Sequence, residues 1–210
     1  MRNLIFTLLL AIAVVLPYES SAQIDLGKAL GILLGEGATA QQQQPRSPLE
    51  EIAEKAPGAK DLVQTWAYDK LYLKYLGTNP LADAALQQVN MTAQAALKNA
   101  GLVSGSFTFT IRRNGTCFIM HEGEALDGTY SYIPEKGRVT LTTAYGGQQY
   151  TSKGFFTMEG KNLTLMVDAR DVLSLVLAIY PEYRNDPNLQ TIEGILTQFK
   201  GVYVCLDFRR

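Results

Sequence analysis

Few side chains in this sequence are of the types that carry catalysis, and they do not converge. His121 is the only histidine; as a general base it would need a nucleophile and an orienting acid beside it. Reading Asn114-Gly115 as a two-residue turn sets Arg113 opposite Thr116, Ile111 opposite Phe118, Phe109 opposite Met120 and Thr108 opposite His121. That register puts His121 on the polar face of a hairpin, so His121→Ala should change stability by less than ~0.5 kcal/mol. No G-x-S-x-G, H-E-x-x-H or P-loop run is present, and Gly146-Gly147 reads as a hairpin turn. Asp168 and Asp171 bracket a helix start, where capping and the helix dipole employ acids without catalysis. Glu122, Glu124 and Asp127 fall in an expected turn and read as solvated. The expectation is therefore no enzyme, no catalytic residue, no cofactor and no metal, since Cys117 and Cys205 lack the histidine partners of a zinc site.

The two cysteines raise a different question, because paired thiols are the rule in an oxidising compartment. Cys117 begins the third expected strand and Cys205 lies on the eighth. With two strands between them in a closed sheet they exceed the ~4.4 to 6.8 Å that a disulfide spans, so free thiols are expected.

What the hairpin does collect is aromatic surface. Under the two-residue register one face carries Phe107, Phe109, Ile111, Phe118 and Met120, and the other Thr108, Thr110, Arg112, Cys117, Ile119 and His121. A slip of one residue would turn the aromatic set into water, so that face is read as the inside. The same alternation adds Trp66 and Tyr68 on the first strand and Tyr130 and Tyr132 on the fourth. Trp66, Tyr68, Phe107, Phe109, Phe118, Met120, Tyr130 and Tyr132 form the candidate ligand-binding set. A buried indole or phenol needs a hydrogen-bond partner, so this set points either to a partly wet interior that receives a polar ligand group or to aromatics that simply fill a small barrel.

The elements that must hold these residues are strands bounded by turn signals: residues 62–68, 106–112, 116–121, 128–133, 138–144, 150–158, 162–168 and 202–208. A helical insertion at 81–100 follows the first strand. Two more helices, 169–180 and 191–200, precede the last; the first of them is apolar nearly all round and reads as buried. Even spacing and tight turns fit an up-and-down meander, and eight antiparallel strands in that order can close and remove both edges. The fold class is thus mainly β, an eight-stranded antiparallel barrel with helical insertions.

Ahead of the barrel, Met1-Arg2-Asn3, the apolar run Leu4 to Leu16 and the small residues before Gln23 form a secretory signal peptide over residues 1–22. The run is short of the ~20 residues that span a bilayer. Residues 23–60, with Gly31, Gly35, Gly37 and the run Gln41 to Gln44, read as a low-complexity tether. Within it, Ser47-Pro48-Leu49-Glu50 predicts a capped short helix. Residues 61–210 are the barrel domain. The protein is expected in the periplasm or outside the cell, associated with the outer membrane in the latter case. A formal net charge of -1 leaves no basic field for nucleic acid.

The run LVQTWAY, the helical insertion, GSFTFTIRRNGTCFIM, LDGTYSY and KNLTLMVDARDVLSLV, in that order, resemble a family of secreted lipocalin-like domains of Gram-negative gut bacteria. Trp66 matches the tryptophan that calycins carry on the first strand at the barrel floor, although Gln64 stands where the lipocalin G-x-W has its glycine. The resemblance implies the barrel and, by analogy of fold, a cavity for a small lipophilic ligand; it implies no activity. The alternative is an envelope structural or protein-interaction module, with a filled barrel and an envelope protein engaged through the tether.

Overall fold

Alternating apolar and polar residues, cut by glycine turns, fold into eight strands whose order in the sheet is their order in the chain. The computed structural model describes residues 47–99, 101–145, 147–179, 181–185 and, from 190 onward, all but 191, 192, 195 and 198. The expected signal peptide, most of the tether and part of the helix expected at 191–200 lie outside the described residues. The strands are β1 (Thr65–Tyr75), β2 (Phe107–Ile111), β3 (Thr116–His121), β4 (Glu124–Ile133), β5 (Arg138–Tyr145), β6 (Gln148–Glu159), β7 (Asn162–Asp168) and β8 (Val202–Arg209). Each pairs antiparallel with its neighbours, and β8 returns to β1 to close the barrel. The helices are α1 (Pro48–Glu54), α2 (Ala59–Leu62), α3 (Pro80–Asn99) and α4 (Ala169–Ile179). No helix among the described residues is long and apolar enough to cross a membrane.

The β2–β3 hairpin corrects the expected register by one residue. Phe107 pairs with His121, Phe109 with Ile119 and Ile111 with Cys117. The loop has three residues: the Arg112 amide donates to Thr116 O at 3.0 Å, the Gly115 amide to Arg112 O at 3.3 Å, and Gly115 takes φ +79°. This is the turn that ends in a left-handed glycine bulge, and Asn114 Oδ1 fixes it by accepting from the Thr116 amide and hydroxyl at 3.1 and 2.7 Å. The two-residue turn comes next, where Glu122 and Gly123 both have positive φ and His121 pairs with Glu124. Phe118 and Met120 therefore face outward, and Cys117, Ile119 and His121 face inward. Glu124 and Asp127, expected in a turn, lie on β4.

β1 also departs from expectation. Residues 59–62 form a helical turn, so the strand starts at Thr65, and it continues to Tyr75 through a bulge between Tyr68 and Lys70. The bulge flips the alternation: Trp66 and Tyr68 point inward before it, Leu71 and Leu73 after it. β1 pairs with β2 over only three residue pairs, Thr65 to Ala67. Beyond them α3 closes the wall. Asn90 Nδ2 donates to Leu73 O at 2.8 Å, Asn90 Oδ1 accepts from the Leu73 amide at 2.7 Å, and Gln94 Nε2 donates to Leu71 O. Two side-chain amides one helical turn apart thus meet peptide groups that an absent strand would otherwise satisfy.

Both barrel ends are covered. At the floor, residues 55–62 cross the opening, and Leu62 is fully buried. At the upper end Leu86, Ala93 and Leu97 of α3 and Val172 and Leu173 of α4 join one core with Val202 and Val204. The α4 cap is its own acid, since Asp168 Oδ1 accepts the Arg170 amide at 2.9 Å. A second cluster lies outside the wall: Ile52 of α1 covers outward-facing Met166 and Cys205, with Tyr72, Phe155 and Tyr203 packed around them. In α1 the Glu50 carboxylate accepts the Ser47 amide at 3.1 Å, as the predicted capping box requires.

Candidate functional site

Of the eight residues singled out from sequence, Trp66, Tyr68, Phe107 and Phe109 are buried inside the barrel, and Tyr130 and Tyr132 face inward half-buried. Phe118 and Met120 do not join them. Phe118 lies outside beneath the Arg112 guanidinium, 4.8 Å from its ring centroid, and Met120 is exposed. The reason is the three-residue turn.

The inward aromatics make one continuous column. Tyr68 stacks on Phe107 at 4.4 Å, and Phe107 meets Phe208 edge-on at 6.1 Å. Phe208 meets Phe109 at 5.6 Å, Phe109 meets Phe156 at 6.4 Å, and Phe156 meets Tyr132 at 5.8 Å. Trp66, Phe156 and Leu163 are 0% exposed and Phe208 2%, so the lower barrel is filled by its own side chains.

The polar ends of Trp66, Tyr130 and Tyr132 are satisfied by backbone carbonyls. Trp66 Nε1 donates to Leu62 O at 3.0 Å, Tyr132 OH to Pro57 O at 2.7 Å and Tyr130 OH to Arg112 O at 2.9 Å. The partners are carbonyls of the floor segment and the β2–β3 turn, which pairing patterns alone do not bring to the barrel base. Burial pushes the Tyr68 and Tyr132 hydroxyls up to about 12, with Asp69 and Glu135 adding to the shift in turn, so both remain protonated donors at neutral pH. Of the two readings of the aromatic set, aromatics that fill the barrel describe this end.

The upper half differs. Inward-facing residues of β1, β7 and β8 at this level, Leu71, Val167 and Val204, are sealed at 1, 6 and 2% exposure. Their counterparts on β3, β5 and β6, namely Ile119, Leu141, Thr143 and Ser152, are half-buried. Of the helices over this end, α3 packs chiefly on β1 and α4 on β6, β7 and β8. At this level the inner wall along β3, β5 and β6 is thus less completely buried than along β1, β7 and β8.

His121 stands two positions above Ile119 on the same face. It is the buried polar residue of the described set, and its Nδ1 lies 2.8 Å from Ser106 O. A carbonyl only accepts, so Nδ1 carries a hydrogen and donates it. Both thiols are free and buried, on opposite faces of the wall, Cys117 inward and Cys205 outward.

Residues 39–210 match the family model described as Lipocalin-like domain (DUF4923). The chain belongs to that family. The resemblance drawn from LVQTWAY and the strands after it thus holds for the fold, and Trp66 sits at the floor of this lipocalin-like barrel. A crystal structure of a DUF4847 family protein from Bacteroides vulgatus ATCC 8482 is similar over 70% of this chain and 92% of that one, at 14% identity and a TM-score of 0.37. No curated protein matches the sequence.

Proposed function

We propose that this lipocalin-like domain is an exported binding protein for a small apolar or amphipathic molecule, held in the upper half of the barrel. One observation carries the reading: the inward side chains Ile119, Leu141, Thr143 and Ser152 of β3, β5 and β6 are half-buried where Leu71, Val167 and Val204 of β1, β7 and β8 are buried. A largely apolar inner wall with a few polar groups is the form that small-molecule sites take. The ligand would rest on Ile119, Leu141 and Leu165 and stop above the aromatic column, so Trp66 and Tyr132 act as floor rather than as contacts. Export is supported by the leader at residues 1–22, and a role in binding rather than catalysis by the scatter of nucleophiles and bases along the chain.

The test is a titration of the purified protein with N-phenyl-1-naphthylamine, a neutral probe that brightens in apolar surroundings. Saturable enhancement is expected, and Leu141→Trp, which enlarges a side chain of that wall, should abolish it while circular dichroism stays unchanged. The filled floor favours the rival reading of an interaction module. No saturable enhancement, with native mass spectrometry finding no co-purified small molecule, would reject binding in favour of that rival.

A further inference from the structure

Asn114 is the only asparagine in the sequence that a glycine follows. In the β2–β3 turn it is exposed, while its Oδ1 accepts from the Thr116 amide at 3.1 Å and from the Thr116 hydroxyl at 2.7 Å. Donors aimed at a carbonyl oxygen draw electrons from its carbon and hold the negative charge that gathers on the oxygen when a nucleophile adds. A backbone nucleophile stands next in the chain. The Gly115 nitrogen has no side chain beside it to hinder attack on Asn114 Cγ, and its hydrogen bond to Arg112 O is long, at 3.3 Å.

We propose that Asn114 is a modification site built into this turn: in the folded protein it converts spontaneously, through a cyclic imide, to aspartate or isoaspartate, assisted by the two Thr116 donors. The Gly115 nitrogen attacks Cγ and gives its proton to water. The new C–N bond forms, the bond from Cγ to the side-chain nitrogen breaks, and that nitrogen leaves as ammonia with a proton taken from water. A second water opens the imide at either carbonyl, so water is the sole co-reactant. The two products act differently on the turn. Aspartate keeps an oxygen for both Thr116 donors, and the three-residue loop survives. Isoaspartate routes the main chain through the former side chain and lengthens the loop by a backbone carbon. That should pull Arg112 O and Gly115 O away from Tyr130, whose hydroxyl and amide they accept at 2.9 and 2.8 Å.

The test keeps the purified protein in mildly alkaline buffer, folded or in urea, and follows each asparagine by peptide mass spectrometry, with isoaspartate counted by enzymatic methylation. In the folded sample position 114 should convert ahead of every other asparagine. Thr116→Val keeps the amide and the branched shape but lacks the hydroxyl. Folded, it should convert at least about threefold more slowly, the effect of losing one hydrogen bond that strengthens as charge develops; in urea, where the turn is gone, it should match the native sequence. Thr116→Ser returns the hydroxyl and should return the rate. Asn114 that stays intact in the folded native protein while it converts in urea would show that the fold shields the amide, and the proposal fails on that result without any variant. It fails equally if folded Thr116→Val and Thr116→Ser convert alike.

Discussion

Asn90 holds Leu73 by both halves of its peptide, donating to the carbonyl at 2.8 Å and accepting from the amide at 2.7 Å. A neighbouring strand residue would exchange the same two bonds, so a helix side chain completes the barrel wall where β2 is too short to reach. Asn90→Ala leaves two part-buried peptide groups unpaired and should lower unfolding stability by about 1–3 kcal/mol. Asn90→Asp keeps an acceptor for the Leu73 amide but sets a carboxylate against the Leu73 carbonyl. Its loss should be at least as large at pH 7 and smaller at pH 4, where the protonated acid recovers a donor. Urea unfolding of the two variants at both pH values measures this, and equal losses at both would remove the strand-mimic account.

Trp66 ties the floor to the column. Its ring is fully buried and its indole N–H bonds Leu62 O, so it couples the segment before β1 to the barrel interior. Trp66→Ala should cost ~3–5 kcal/mol, a large share of the ~5–15 kcal/mol typical of a domain. Trp66→Phe, which keeps a ring but not the donor, should cost less than Trp66→Ala. As the sole Trp, its native emission should be blue-shifted and resist acrylamide. A red-shifted, freely quenched signal would contradict the closed floor.

His121 reverses the expectation drawn from its sequence position. On a polar face its loss would be nearly silent, but here it is 9% exposed and bonded to Ser106 O. His121→Ala should cost about 1–3 kcal/mol, the range for removing a buried partner. A change under ~0.5 kcal/mol, the surface value, would restore the two-residue turn and turn Phe118 and Met120 back inward.

Strand order and closure were legible because alternation is a local signal and tight turns leave antiparallel pairing as the economical topology. The register was not. Asn114-Gly115 is the stronger turn dipeptide, yet it sits in the three-residue loop, while the two-residue turn is made by Glu122, whose type gives no hint of its φ of +48°. The upper half of β1 was hidden for a related reason: the bulge after Tyr68 moves the inward set from Trp66 and Tyr68 to Leu71 and Leu73, so period two breaks in the middle of one strand. The uneven burial of the inner wall was out of reach altogether, because it depends on how distant segments pack together rather than on a pattern within any of them.

The buried thiols give the fold an alkaline limit. Burial pushes Cys117 up to about 11, with Asp127 adding to the shift, and pushes Cys205 up to about 12. Both values lie above the ~8.5 of an unfolded thiol, so the folded chain keeps two protons that the unfolded chain releases. The stabilisation is complete below about pH 8.5 and drains away as pH rises toward the folded values, by up to ~1.4 kcal/mol per pH unit for each thiol. Tyrosines enter only near pH 10, their ordinary value, which leaves about pH 8.5 to 10 as the window owned by the thiols. Urea midpoints should fall across that window in the native sequence and fall less in Cys117→Ala and Cys205→Ala, least when both are combined. At pH 8 neither thiol should react with 5,5′-dithiobis(2-nitrobenzoate) until urea is added, after which both should react. Rapid labelling of the folded protein, or a midpoint that does not move from pH 8 to 10, would mean that Cys117 and Cys205 are not sealed on the two faces of the wall.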